Sequence, residues 1–85
     1  MSDRITHIPQ EYCPVLFALL TRLGTGLAFE GIHNVMEGTG NNIPDAKELG
    51  ERQVKAGGML MFLGNYIAKN GTLPEPEIME SLAAR

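Results

Sequence analysis

The sequence predicts an all-α chain: a short leading helix, an antiparallel helical hairpin and a short C-terminal helix, assembled as a homo-oligomer. Three observations carry this. No segment alternates polar and apolar residues with period two, as a half-buried strand would. The stretch Ile43 to Gly71 has a helix start signal, a sustained helical period and a stop signal. Glycine also recurs every seven residues on two successive segments, as Gly24, Gly31 and Gly38 and again as Gly50, Gly57 and Gly64. With 85 residues there is room for a single domain, 1–85, whose core is small enough to gain from oligomerisation.

In chain order, residues 1–13 form a leading segment. Met1 to Thr6 is polar and expected to fray. His7-Ile8-Pro9 favours extended backbone, and Gln10 to Cys13 reads as one short turn before Pro14. Residues 14–37 form the first hairpin helix or a pair of helices. Pro14 suits a first helical position, and Val15 to Leu20 is apolar all round, as in a helix buried on several sides. Gly24-Thr25-Gly26 either breaks this helix or lies inside one that ends near Met36; Ala28, Ile32, Val35 and Met36 continue an apolar face. Gly38 to Asn42 reads as a loop, with the full connection at 38–44.

The long second helix is expected over 45–70. Asp45 is an N-cap residue type and Glu48 lies three positions on, the spacing of a capping box. Leu49, Ala56, Leu60, Leu63 and Ile67 fall on one face at 3.6 residues per turn. Asn70-Gly71 closes the helix, since glycine takes the left-handed conformation that ends helices. Thr72-Leu73-Pro74-Glu75-Pro76 is a stiff connector to a last short helix over 77–84, with Ile78, Met79 and Leu82 inward.

The heptad glycines need a reason, because each costs about 1 kcal/mol against alanine inside a helix. A row without side chains lets another backbone approach closely or leaves room for a flat ligand. We read the two rows as two closely packed helices in a homo-oligomer. The plainer alternative makes Gly24, Gly38 and Gly71 caps or loop residues.

Ten acidic against seven basic residues give a net charge of −3, which disfavours long nucleic acid but allows a local basic pocket for a small anion. The lone Cys13 cannot form an intrachain disulfide and fits a reducing cytosol. No charged-then-apolar leader opens the sequence. The apolar run Val15 to Phe29 is interrupted by Arg22 and two glycines, so no membrane span is expected. His7, His33 and Cys13 lack metal-ligand spacing, and no phosphate loop is present. No metal, cofactor or catalysis is therefore expected. Glu48 with Arg52 and Glu51 with Lys55 read as i,i+4 pairs on a solvated face. Phe62 and Tyr66 share a face and read as core.

A few residues suit an anionic, flat ligand. Tyr12 and His7 can stack on a base. Arg22 interrupts an apolar helix, so it either snorkels outward or meets an anion. Lys47 lies in the first turn of the long helix, beside free backbone N–H groups that suit phosphate.

Ile43-Pro44-Asp45-Ala46-Lys47-Glu48, then Met61-Phe62, then Ile67-Ala68-Lys69-Asn70-Gly71, resembles the helical hairpin of the phage anti-CBASS sponge proteins, shared with an anti-Thoeris sponge. Leu27-Ala28, Ile32, His7, Pro9 and Tyr12 are similar to its upstream parts. The resemblance runs from His7 to Gly71 and is dense only from Ile43. It implies a homo-oligomer, in that family a hexamer, that binds cyclic di- or trinucleotides between protomers. The bound signals are sequestered unchanged in the cytoplasm of the infected bacterial host. Carried over, Tyr12 stacks on a base while Arg22, Thr25, Lys47 and Lys69 hold phosphate. Lysine replaces the family's arginine at 47 and 69, losing a bidentate fork, and Phe62 replaces its tryptophan. From other classes, the alternatives are a helical adaptor that blocks a protein partner through its apolar faces, and a small hydrolase using His33 or His7 with Glu30.

Overall fold

The structure, a computed structural model, describes residues 7–84. A 3-10 turn, η1 (Gln10–Tyr12), leads into α1 (Cys13–Gly40), which returns through α2 (Pro44–Asn70), and α3 (Pro76–Ala84) follows. No strand occurs among the described residues; an isolated bridge pairs His7 with Thr72, and the Ile8 N–H donates to the Gly71 carbonyl at 2.8 Å. Those two contacts tie the leading segment to the far end of α2.

The first hairpin helix is continuous. Gly24-Thr25-Gly26 does not break it, and it runs four residues past Met36, to Gly40. The connection shrinks to three residues, 41–43, between the two helices. Asn42 there takes a positive φ of 57°, a conformation asparagine tolerates, and the Ile43 N–H donates to the Gly38 carbonyl. The start of α2 is also not the expected capping box. Its N-cap is Ile43, with no side-chain cap bond, and Pro44 holds the first helical position. Proline, with φ already fixed and no N–H to satisfy, starts the helix one residue ahead of Asp45. The other end is as expected: Gly71 is left-handed, φ 71°, and its N–H donates to the Ile67 carbonyl.

The two glycine rows face each other. A Cβ at Gly24 would stand 2.6 Å from the Gly57 carbonyl oxygen, and one at Gly57 would stand 2.5 Å from that of Gly24. Gly31 and Gly50 repeat the reciprocal pairing at 2.6 and 2.5 Å. Gly38 abuts the Lys47 backbone and Gly64 abuts Leu20. So Gly24 and Gly38 are packing residues rather than caps. At Gly24, Gly57, Gly31 and Gly50 the opposite helix presents a backbone carbonyl where a side chain would begin. The close packing is therefore within one chain. Asn34 adds a direct cross-link, its amide donating to Gln53 Oε1 at 2.6 Å.

Close approach along two helices leaves a flat molecule. Its extents are 50 × 27 × 16 Å, and the smallest is not far above the ~10–12 Å diameter of one helix. A slab one helix thick has no interior layer. Among the described residues Ile67, 2 % exposed, is the core's fully buried large side chain. The expected core face is correspondingly open: Leu49 is exposed, and Ala56, Leu60 and Leu63 are half-buried. Helix α3 covers part of it. Met79 closes a hollow with Ala56, Met59, Leu60 and Leu63, and the Lys55 ammonium donates to the Ala83 carbonyl at the C-terminal end of α3. Lys55 is thus spent on α3 rather than on Glu51, whereas Arg52 does pair with Glu48 at 2.8 Å.

Gly58 sits inside α2 with nothing within 4 Å of a Cβ built on it. Gly58→Ala should therefore stabilise the chain by about 1 kcal/mol in denaturant unfolding. A loss instead would show that Gly58 is in contact with another molecule.

Candidate functional site

The sequence-derived binding residues are spread along the hairpin. Tyr12 is exposed in η1, beside the end where His7 pairs with Thr72, and Lys69 lies in the last turn of α2 at that same end. Arg22 and Thr25 are near mid-length on α1, level with the part of α2 around Gly57. Lys47 is at the opposite end, beside Gly38. One chain thus brings His7, Tyr12 and Lys69 to one end and does not gather all six.

Local geometry assigns some of these residues other contacts. The Thr25 hydroxyl lies 3.5 Å from Met61 Sδ across the hairpin, positioned to donate to it. The Lys47 N–H donates to the Ile43 carbonyl at 3.2 Å, so it is not one of the free first-turn donors. His33 lies 3.6 Å from Glu37, one turn along the same helix and open to solvent, which leaves no organised His33–Glu30 pair. Phe62 and Tyr66 stack tilted, centroids 5.9 Å apart. No cluster of three potential metal ligands occurs among the described residues.

The feature that sequence reasoning placed inside the molecule is on the outside. Among the described residues eleven large hydrophobic side chains are exposed, including Val15, Leu19, Leu23, Phe29, Ile32 and Met36 along α1. Two open grooves run beside them. One, of about 310 Å³, is lined by Ile32, Val35, Met36, Glu51 and Val54. The other, of about 480 Å³, is lined by Arg22, Leu23, Gly26, Leu27, Glu30 and Leu60. The missed signal was the glycine spacing itself: rows that bury backbone against backbone turn the larger side chains outward.

Because α1 is unbroken, the segment Gln10–Gly40 is long and apolar enough to cross a membrane by length and composition: an 18-residue stretch of it has a mean hydropathy of 1.5, with 11 % of that stretch buried. A helix covered by other copies in an oligomer has the same composition, so this property alone does not choose between lipid and protein as its surroundings.

The family model described as the Maff2 family matches residues 10–69, which takes in both glycine rows and stops short of α3. The chain belongs to that family. No curated protein and no solved structure matches it.

Proposed function

We propose that this member of the Maff2 family is a self-assembling helical subunit that acts by binding and carries out no chemistry of its own. The observation behind this reading is the inverted burial: glycine backbone inside, Leu19, Leu23, Phe29, Ile32 and Met36 outside. At roughly 25 cal/mol for each Å² of apolar surface removed from water, such faces favour cover by another surface. A second copy supplies that surface at every encounter.

The cyclic-nucleotide reading rests on the resemblance and on one structural observation, that exposed Tyr12 shares an end of the hairpin with His7 and Lys69. With the six candidate residues spread along one chain, a pocket for a cyclic di- or trinucleotide has to form where copies meet. Blocking a protein partner through the same apolar faces is the other use of this surface.

Native mass spectrometry of the chain, alone and with a panel of cyclic di- and trinucleotides, tests both readings. A defined oligomer is expected. Mass increments of intact cyclic nucleotide on that oligomer would support sequestration, and their absence would count against it while leaving assembly in place. A chain monomeric at tens of micromolar would sink the assembly reading.

A further inference from the structure

We infer that two copies associate antiparallel through α1, crossing at Gly26, with Arg22 of each copy paired to Glu30 of the other. The inference rests on the self-assembly reading and specifies its interface.

Arg22, Gly26 and Glu30 follow one another at four-residue steps, so they form a single ridge on α1. All three line the same open groove with Leu23, Leu27 and Leu60. Within one chain neither charge has an opposite charge within ion-pair distance among the described residues. Nor do they reach each other: eight residues at 1.5 Å per residue set them ~12 Å apart along the helix. Each is an ion on an apolar surface without a counter-ion.

A two-fold axis at Gly26 supplies both counter-ions at once. In an antiparallel pairing about that residue, position 22 meets 30 and position 30 meets 22, because 26 is their midpoint. Isologous interfaces have this reciprocity. Leu19 then lies level with His33, and Leu23 and Phe29, exposed on the two flanks of the ridge, are covered by the other copy. The crossing point needs room, and Gly26 has nothing within 4 Å of where a side chain would start. Inside the hairpin, glycine allows the same kind of close approach at Gly24 with Gly57 and at Gly31 with Gly50.

Charge reversal tests this, read by sedimentation velocity with far-ultraviolet circular dichroism as a check on helix content. Arg22→Glu alone sets four carboxylates around the crossing, and Glu30→Arg alone sets four cations. Each single variant should associate at least tenfold more weakly than the natural chain while remaining helical. A 1:1 mixture of the two should form a heterodimer, since both carboxylates of the first variant then face both guanidinium groups of the second. The double variant should regain self-association. Wild-type-like association of either single variant, or a mixture that stays dissociated, would overturn the interface and leave self-assembly standing. A natural chain that does not associate at all would overturn both.

Discussion

Gly31→Ala is expected to destabilise the hairpin by about 3 kcal/mol or more, a larger effect than any single change on the surface. The added methyl would lie 2.6 Å from the Gly50 carbonyl oxygen and 2.7 Å from the Val54 nitrogen. Both are backbone atoms, so no side-chain rotation relieves the overlap. The helices have to part, and the paired approach at Gly24 and Gly57 loosens with them. Overpacking usually costs ~1–3 kcal/mol, and a rigid obstacle sets this case at the upper end or beyond. Alanine's better helix propensity returns only about 1 kcal/mol. Urea unfolding at a fixed protein concentration would measure the loss, with Gly58→Ala, at an open position of α2, as the matched control. Equal stability of the two variants would mean that the helices do not approach at Gly31 as described.

That contrast between Gly31 and Gly58 also shows what could be read from the sequence. Element types were legible because they are set by local chemistry: Pro14 at a helix start, Gly71 at a helix end, a connector broken by Pro74 and Pro76. The heptad glycines pointed to close helix packing, and the packing is there, within one chain. Local chemistry left one choice open and misled at two places. Gly24-Thr25-Gly26 reads as a break if each glycine is charged its helical cost, yet Gly24 recovers that cost against Gly57. Asp45 and Glu48 spell a capping box, but Pro44 at the first helical position starts α2 before they act. Gly38, counted as loop, is helical and buried against Lys47. Tertiary contacts decide the glycine cases, and a single sequence does not state them; at the start of α2 one local signal outranks another. The candidate site was less legible for the same reason. Tyr12, Arg22 and Lys47 each have suitable chemistry, but only the hairpin register shows that they lie at its one end, middle and other end.

The second large effect is expected from replacing Leu19, Leu23 and Phe29 together by serine: self-association should fall by roughly four orders of magnitude while the hairpin persists. These side chains are 50 %, 54 % and 67 % exposed, so about half of each remains to be covered by a partner. Covering half of a large apolar side chain contributes ~1 kcal/mol, and a symmetric pair covers six, for roughly 6 kcal/mol in total. At 1.4 kcal/mol per decade that is about 4 decades in Kd. The hairpin should survive because its cohesion comes from other atoms: the paired glycines, Ile67 and the Asn34–Gln53 bond are on its inner seam. Sedimentation equilibrium for the association and circular dichroism for the helices separate the two layers. If the triple variant loses its helices together with its self-association, the outward faces belong to the fold itself, and the hairpin does not stand apart from its assembly. If it remains fully associated, the copies meet elsewhere, and the groove at Ile32, Val35, Met36 and Val54 becomes the face to alter next.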